Sequence, residues 1–350
     1  MLATVTHILP LSRIRRARLL PSTGKVLVRT NQKVTTVDPI AETNQGGKHI
    51  VINVRRALGI SNVKEAERLI DRKPGDKLQK GDVIAQLGSF LPRVVRAPAD
   101  GEIVAISNGQ VLLEVQATLF QLKAGFSGTV TEIVPDRGAI IETHGVLIQG
   151  VWGNKIIDQG MLLCLAKSAD EVITRERLEV SMRGAVVIAG HCARADALTM
   201  ANELPLRGLI LGSMKAELVP LANTLSFPLI VLDGFGQIPM NNAAFRLLST
   251  NEKRDACLNA TPWNPQFGDR PEIVIPLPTE GELPQEADDF KPNQTVRVQG
   301  APYASQIGTL IQVKAGLTTL SNGLRVPAAD IRLESDEVVS VPLANLDVLE

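Results

Sequence analysis

The stretch RAPADGEIVAI, residues 96–106, with the following NGQVLLEV, residues 108–115, decides the fold of the first part of the chain. Its pair Asp100-Gly101 predicts a tight turn, because glycine tolerates the positive φ that such turns require. The flanking segments are rich in β-branched residues, which favour strands. Two short strands around a tight turn are therefore expected, and they contain Ile103, Val104, Ile106, Val111 and Val115.

The preceding stretch PGDKLQKGDVIAQL, residues 74–87, extends this pattern. Together the three segments resemble the barrel-sandwich hybrid fold of biotinyl and lipoyl carrier domains. In those carriers a hairpin between the two halves presents a lysine that is modified. The matching residues here, 87–93, read LGSFLPR and contain no lysine. The resemblance thus implies the carrier scaffold without its swinging-arm chemistry, and we expect no biotinyl, lipoyl or other cofactor.

Both halves of this pattern occur a second time. The segment VTTVDPIA, residues 34–41, shares its spacing with LQKGDVIA, residues 78–85. Likewise AGFSGTVTEI, residues 124–133, shares its spacing with APADGEIVAI, residues 97–106. We predict a barrel-sandwich hybrid over residues 1–166 that is built from quasi-repeated units. Chance repetition of turn-and-strand patterns is the alternative.

A helical insert is predicted at about residues 46–72, between the repeated segments. Its apolar residues recur at helical spacing from Ile50 onward, and Gly59 divides them into two short helices. Ser61 has the position and the side chain of an N-cap for the second of these helices.

Residues 167–261 have the pattern of a small parallel α/β module. Short apolar runs, typical of strands buried on both faces, alternate with amphipathic segments typical of helices. Such alternation predicts βαβ units on a parallel sheet. The predicted helices are residues 169–178, 195–204, 215–225 and 242–248, and the predicted strands are residues 185–189, 208–211 and 228–232.

In such a module, ligands bind beyond the carboxyl ends of the strands, where three polar loops are expected to meet. Cys192 would act as a nucleophile only with a base from another loop, and Asp196 is expected to cap the following helix. We predict no catalytic residue and no metal site. The alternative is that the glycines only make turns, while His191 and Cys192 pack. The candidate ligand-binding residues are His191, Cys192, Arg194, Ser213, Asp233, Gly234 and Gly236.

The remaining chain divides into a predicted linker and a small β domain. Residues 262–291 are rich in proline and acids, with one short strand at 272–275, and are predicted to be a linker. Residues 292–350 resemble KOW-type small β-barrels, which occur in ribosomal proteins and transcription elongation factors and bind RNA or protein. That resemblance rests on VRV at 296–298, PY at 302–303, IGTL at 307–310, VP at 341–342 and NL at 345–346.

The charge balance bears on what such a tail would bind. The chain has 37 basic and 37 acidic residues, and aromatic residues make up 3% of it. Neither a strong phosphate-binding surface nor base-stacking platforms are therefore indicated. Basic residues of the tail, among them Arg297, Lys314 and Arg332, are balanced by acids. We expect a protein partner, with weak nucleic-acid binding as the alternative.

Cysteine use and hydropathy indicate the compartment. Cys164, Cys192 and Cys257 are odd in number and widely spaced, which favours a reducing environment. The sequence shows no signal peptide and no apolar run of spanning length. We therefore expect a cytoplasmic protein that does not associate with membranes.

The sequence as a whole predicts a multi-domain β and α/β protein: a barrel-sandwich hybrid, then a small parallel α/β module, then a KOW-like β-barrel. The leading functional hypothesis is a non-enzymatic scaffold or protein-interaction protein. Its first rival is a transcription- or ribosome-associated factor that binds nucleic acid through the tail. The second rival is an enzyme or small-ligand sensor that uses the α/β module.

Overall fold

The computed structural model describes residues 2–45, 48–88, 92–115, 118–264, 269–284 and 287–349. Over these residues the protein is mainly β, with 47% strand and 14% helix distributed over several sheets. This agrees with the prediction of a multi-domain, β-rich fold. In the described part of the chain, no helix is long and apolar enough to cross a membrane.

The strands are named in chain order. Those of the first half are β1 (Leu2–Thr6), β2 (Ile8–Leu19), β3 (Lys25–Val26), β4 (Lys33–Val34), β5 (Pro39–Gln45), β6 (His49–Asn53), β7 (Lys77–Leu78), β8 (Val83–Leu87), β9 (Arg93–Arg96), β10 (Gly101–Ser107), β11 (Gln110–Val115), β12 (Thr118–Lys123), β13 (Gly128–Val134), β14 (Gly138–Gln149), β15 (Trp152–Gly153) and β16 (Ile157–Cys164). Those that follow are β17 (Ala185–Cys192), β18 (Gly208–Met214), β19 (Leu229–Phe235), β20 (Asp255–Asn259), β21 (Glu272–Pro276), β22 (Ala287–Asp289), β23 (Thr295–Val298), β24 (Ile307–Val313), β25 (Thr318–Thr319), β26 (Arg325–Val326), β27 (Ala328–Leu333), β28 (Val338–Pro342) and β29 (Leu346–Leu349).

The helices are short, and the first two have recognisable caps. Gly59 ends the first of them in the left-handed conformation, with φ of 72°, which glycine adopts without strain. The side chain of Asn62 accepts a hydrogen bond from the backbone N–H of Lys64, so Asn62 and not Ser61 is the N-cap of the second. The described α-helices are α1 (Val54–Leu58), α2 (Val63–Arg68), α3 (Ala195–Glu203), α4 (Val219–Ala222) and α5 (Asn242–Thr250).

The chain forms two compact units. The inserted unit consists of Leu20–Leu27 and Ala41–Leu122, and the main unit of Met1–Leu19, Val28–Ile40 and Lys123–Glu350. Helices α1 and α2 belong to the inserted unit, where the helical insert was predicted, but Ile50 lies in strand β6 rather than in a helix. Buried apolar side chains fill the core of the inserted unit: Val54, Leu58, Leu78, Ile84, Ala85, Val95, Ala97, Ile103, Val111 and Leu113.

The repeated sequence segments have the same backbone hydrogen bonds. We call residues 72–115 of the inserted unit the inner copy, and residues 28–40 with 123–143 of the main unit the outer copy. Strand β10 pairs with β7 and β11 in the inner copy, as β13 pairs with β4 and β14 in the outer copy. Both central strands carry a register shift at the same place, between Ile103 and Ala105 and between Val130 and Glu132.

Individual contacts confirm the equivalence. Gly75 and Asn31 occupy matching turn positions with positive φ, which glycine and asparagine tolerate best. The matching backbone donations are Gly75 N to Ile103 O (2.7 Å) with Asn31 N to Val130 O (2.8 Å), Ile103 N to Asp76 O (2.9 Å) with Val130 N to Gln32 O (2.9 Å), and Ala97 N to Asp82 O (2.9 Å) with Ala124 N to Asp38 O (3.0 Å). The repetition in the sequence is therefore also a repetition in structure.

The two copies differ in what connects their next pair of strands. In the inner copy, β8 and β9 form an antiparallel pair that residues 88–92 connect. The strands that continue from the outer copy, β5 and β12, are neighbours in one sheet, and residues 46–117 connect them. Most of both strands belongs to the inserted unit. The inner copy lies within that connection. In terms of chain order, one repeat is inserted into the other at the position of the short turn.

An eleven-stranded sheet dominates the main unit, in the order β15-β19-β18-β17-β16-β20-β21-β14-β13-β4, with β2 beside β14. Strands β17 to β19 are parallel, as the sequence predicts for the α/β module. Strand β16, which the sequence assigned to the preceding domain, also pairs parallel with β17. Strand β21 is hydrogen-bonded to both β14 and β20, and its side chains are almost all buried. This part of the predicted linker therefore belongs to the folded core.

Two of the predicted helices differ in the structure. Residues 169–178 do not form an α-helix: the backbone of Ile173 donates to His191 at 2.8 Å, so the segment extends alongside the end of β17. Pairing with this strand and burial of Ile173 outweigh the helical spacing of the apolar residues. The helix predicted at 215–225 is a 3-10 turn, Ala216–Leu218, followed by α4, while α3 and α5 confirm the other two predictions.

The tail contributes most of a seven-stranded sheet, in the order β22-β1-β29-β23-β24-β27-β28. Among the described residues this sheet is open, with β22 and β28 at its edges, and it does not close into a barrel. Strand β1 joins it by pairing parallel with β29 and antiparallel with β22. The sequence did not predict this strand from the start of the chain.

Candidate ligand site at the carboxyl edge of the parallel sheet

Strands β17, β18 and β19 bring several predicted site residues to one edge. The register places His191 beside Ser213 and Ser213 beside Gly234. These residues lie at the carboxyl ends of parallel strands, where α/β modules bind ligands. A ligand could bind here only through polar groups that are not already hydrogen-bonded within the protein.

His191 and Ser213 are bonded to each other and to the backbone. Nδ1 of His191 lies 2.8 Å from Oγ of Ser213, and that hydroxyl donates to the carbonyl oxygen of Ile238 at 2.5 Å. Since the single hydroxyl proton goes to Ile238, the histidine is the donor to Ser213, which assigns its proton to Nδ1. Burial lowers the pKa of His191, so the ring is neutral near pH 7. The pair has the bonds of a packing element rather than of an activated nucleophile.

Cys192 is the second group that the sequence offered as a nucleophile. Its side chain is fully buried, and Sγ donates a weak hydrogen bond to the carbonyl oxygen of Arg194 at 3.6 Å. Burial raises the pKa of the Cys192 thiol to about 11, so the reactive thiolate is rare at neutral pH. This thiol behaves as a small apolar side chain of the core.

Arg194 lies apart from the buried residues. Its side chain is 72% exposed and pairs with Asp196, with 2.6 Å between Nη2 and Oδ2. Arg194 itself occupies the N-cap position of α3, and Asp196 lies in the first turn. The prediction of Asp196 as the cap is therefore wrong: its carboxylate bonds to the preceding arginine, near the helix N-terminus that favours negative charge.

Asp233 has a partner that the sequence did not suggest, Arg297 of the tail strand β23. Nη1 of Arg297 lies 3.5 Å from Oδ1 of Asp233 and donates to the carbonyl oxygen of Leu232 at 3.0 Å. Asn241 donates twice to the same carboxylate, from its backbone at 2.8 Å and from Nδ2 at 2.9 Å. Burial raises the pKa of Asp233, while Arg297 and Asn241 oppose that rise.

A second carboxylate completes this buried charge cluster. Nη2 of Arg297 lies 3.2 Å from Oδ2 of Asp347, which also accepts from the hydroxyl of Thr6. Arg270 donates to Thr6 at 2.6 Å. Arg297 is 2% exposed, and its Nε has no hydrogen-bond partner among the described residues. One buried arginine thus bridges an acid of the α/β module and an acid of the tail sheet.

The sequence analysis counted Arg297 only among the basic residues of the tail that acids balance, and it predicted no role for this residue. The signal that could have found it is its position between Val296 and Val298, because a strand buried on both faces also buries the charge between two valines. Its full burial then requires a carboxylate partner.

Of the two predicted site glycines, Gly234 shows how closely the tail approaches this edge. Gly234 has φ of 143°, and a Cβ on it would lie 2.7 Å from Oγ of Ser305 in the tail. Gly236, with φ of 116°, donates from its backbone to Met214 at 3.0 Å and makes a turn. The tail therefore covers the backbone at the third predicted loop.

Little free space remains beside the first loop. A cavity lined by Gly190, Glu171 and Arg177, among others, has a volume of about 10 Å³, which is the space of about one water molecule. Within the described residues, no cluster of three histidine, cysteine or acidic side chains is placed to hold a metal ion. The arrangement offers structural contacts rather than a pocket.

Comparison with models of known protein families finds no match, and comparison with curated proteins finds no similar sequence.

Proposed function

We propose that this protein is a non-enzymatic scaffold that binds another protein. The observation that carries the proposal is the bridge from Arg297 to Asp233 at the carboxyl edge of the parallel sheet. The protein's own tail occupies the place where a module of this kind would take a substrate. The buried thiol of Cys192 and the bonded hydroxyl of Ser213 support the same reading.

The scaffold proposed for residues 1–166 is a barrel-sandwich hybrid related to biotinyl and lipoyl carriers. The matching hydrogen bonds of the inner and outer copies support a construction from repeated units. The residues that match the carriers' modified turn, 87–93, lack lysine, and Ser89 to Leu91 lie outside the described residues. At the position where the inner copy has this short turn, the outer copy has a long connection that contains the whole inner copy. An attached domain in place of an attached cofactor is consistent with a scaffold.

Charges in the tail favour a protein partner over nucleic acid for the proposed KOW-like domain. Arg297 is buried, and Nζ of Lys314 lies 3.0 Å from Asp330. Both cations are therefore engaged within the protein, which lowers the number that could neutralise phosphates. Arg332 remains exposed. Binding of RNA or DNA through this tail is expected to be weak and to be lost at moderate salt.

The experiment is an affinity purification of the full chain, with and without nuclease, followed by reconstitution with the purified candidate partner. The proposal expects a protein that survives nuclease treatment and binds in a defined stoichiometry. Parallel thermal-shift measurements with nucleotides and common metabolites should show no saturable stabilisation that Asp233→Asn abolishes. A metabolite with that behaviour would establish the ligand-sensor alternative. Nanomolar RNA binding at physiological salt that requires residues 292–350 would establish the nucleic-acid alternative.

A further inference from the structure

Two hydrogen-bond donors flank Gly125 in the turn before β13. Gly125 has φ of 89°, and its backbone donates to Thr36 at 2.9 Å, which fixes the turn. A Cβ on this residue would lie 3.2 Å from Nδ2 of Asn259 and 3.4 Å from Cζ of Arg18. The absence of a side chain thus lets an amide and a guanidinium lie side by side. We call this place the Gly125 notch.

Arg18 differs from the other arginines of its strand. Arg13 binds Glu142 through two hydrogen bonds, and Arg16 binds Glu272 likewise. The guanidinium of Arg18 makes one bond among the described residues, from Nε to the carbonyl oxygen of Lys123 at 3.4 Å. Its Nη1 and Nη2 donors have no acceptor there. Burial lowers the pKa of Arg18, although arginine keeps its charge at any physiological pH.

The amide of Asn259 also presents an unused donor. Asn259 is 6% exposed, and its Oδ1 accepts from the backbone N–H of Thr261 at 3.3 Å and from the hydroxyl of Thr261. These two bonds orient the amide, so that Nδ2 points to the side of Gly125 and Arg18. No residue in the described part of the chain accepts from Nδ2. Nδ2 is not among the buried unsatisfied atoms of the described residues, so this donor is accessible to a ligand acceptor.

Two carboxyl groups face Arg18 without bonding to it. Glu272 is held by Arg16, with 2.6 Å between Oε1 and Nη2. Asp269 attracts Arg18 electrostatically, and burial raises the pKa of Asp269, so its charge is poorly solvated there. Neither acid lies within ion-pair distance of Arg18 in the described structure. Both acids attract the charge of Arg18, but neither places an oxygen atom against its Nη1 and Nη2 groups among the described residues.

We propose that the Gly125 notch is a binding site for an oxyanion, a carboxylate or a phosphate group, held by Nη1 and Nη2 of Arg18 and by Nδ2 of Asn259. A planar guanidinium with two free N–H groups binds two oxygens of such a group at once, and the amide supplies a third donor. Gly125 is required because any side chain there would fill the space between the two donors.

The test is a titration of the 15N-labelled full chain with inorganic phosphate and, separately, with acetate, at constant ionic strength. The backbone resonance of Gly125 and the Nε resonance of Arg18 should shift and saturate with at least one of them. Saturation with phosphate alone assigns a phosphate ligand, and saturation with acetate alone assigns a carboxylate. If neither anion gives a saturable shift, the proposal is wrong.

Variants locate the site. Arg18→Gln and the nearly isosteric Asn259→Asp should each weaken the apparent affinity at least tenfold, because each removes a donor or adds a repelling charge. Arg15→Gln is the matched control, since Arg15 lies on the same strand and is exposed beside Glu132. It should leave the affinity unchanged. An equal loss in this control would overturn the site in favour of general charge attraction. Arg18→Lys, which keeps the charge and loses the planar fork, gives the same test should Arg18→Gln not fold by circular dichroism.

Discussion

The inserted and the main unit share a backbone motif but differ in their cores. Thr43 is the sole buried polar side chain of the inserted unit among the described residues. The main unit buries charged and polar side chains at several places, including Arg297, Asp233, Glu272 and His7. The same turn and strand contacts therefore form around an apolar core and beside a charged one. Backbone hydrogen bonds and turn residues specify the motif. The chemistry of the core determines whether the unit loses stability on loss of side-chain volume or on a change of pH.

This difference has a thermodynamic consequence. An apolar core loses stability when side-chain volume is removed, and it is nearly indifferent to pH. A core with buried charges depends on every partner being present and in the right protonation state. Hydrogen exchange read by mass spectrometry follows the two units separately, because their peptides do not overlap, and it serves for the predictions that compare the units.

The largest effect is expected from Arg297→Met. Removal of the guanidinium leaves Asp233 buried without a cation and leaves Asp347 only with Arg270, 3.9 Å away. The loss should cost about 3 to 5 kcal/mol. Peptides of β19, β23 and β29 should exchange faster, while those of β7 to β11 should not change. Arg332→Met, at an exposed position of the same sheet, is the control and should have little effect. Equal acceleration in the inserted unit would contradict the separation of the two cores.

The second prediction concerns pH. Burial lowers the pKa of His7 to about 4, from 6.5 in an exposed histidine. Because the unfolded chain binds the proton more readily, the stability of the main unit should fall as pH drops from 6.5 towards 4. The contribution of His7 is about 3 kcal/mol. Urea titrations at several pH values measure it.

His7→Leu should reduce this slope. His191, whose pKa is also lowered by burial, and carboxylates with lowered pKa values such as Glu142 and Glu272 account for part of the remainder. The inserted unit should show no matching slope, since it buries no histidine among its described residues. If the stability of the inserted unit also fell steeply at acid pH, its apolar core would not be what determines how its stability depends on pH.

A matched pair of glycines tests the equivalence of the copies. A Cβ on Gly101 would lie 2.2 Å from the carbonyl oxygen of Glu114, and a Cβ on Gly128 would lie 2.5 Å from that of Glu142. Backbone atoms cannot move away as a flexible side chain would, so alanine at either position should cost about 1 to 3 kcal/mol. Each variant is the control for the other, because the loss should appear only in its own unit. A large loss from one and none from the other would contradict the equivalence.

The smallest effect is expected at the turn aspartates. Oδ2 of Asp82 accepts from the backbone of Gln79 at 2.9 Å, and Oδ2 of Asp38 accepts from Thr35 at 2.7 Å. Replacement of either by alanine should cost about 1 kcal/mol, the usual value for loss of such a cap. Replacement by asparagine retains an acceptor and should cost less. Denaturant midpoints of the four variants decide whether the two turns respond alike.

Local sequence patterns predicted much of this fold, but they did not predict contacts between residues that are far apart in the sequence. The strands from β17 to β19 follow from residue types over a few positions. The tight turn predicted at Asp100-Gly101 is wrong: Gly101 begins strand β10 without a positive φ, and the turn between β10 and β11 lies at Asn108 and Gly109, with φ of 54° and 69°. The segment 169–178 was misassigned because its apolar spacing suits a helix, whereas pairing with His191 depends on a distant strand. The pairing of β1 with β29 lies beyond any local pattern for the same reason.

The candidate site shows the same division. Parallel order placed His191, Ser213 and Gly234 at one edge, as the sequence predicts. Arg297 determines whether Asp233 at this edge is available to a ligand, because it pairs with that carboxylate. It comes from another part of the chain, and the sequence analysis counted it only among the balanced charges of the tail. A sequence pattern can place side chains on one sheet, but it does not identify the group that packs on top of them.

The pairing of β1 with β29 also sets an order of events on the ribosome. Strand β1 is synthesised first, and its parallel partner only after more than three hundred further residues, which takes roughly 20 to 70 s at ordinary translation rates. Residues 28–40 likewise wait for residues 123–143, while the inner copy already has all its strands. The insertion thus lets the embedded repeat mature first, and the surrounding one can close once residue 143 has been made. Strand β1, in contrast, lacks its parallel partner until residues 346–349 are made, and it is the segment a chaperone would meet.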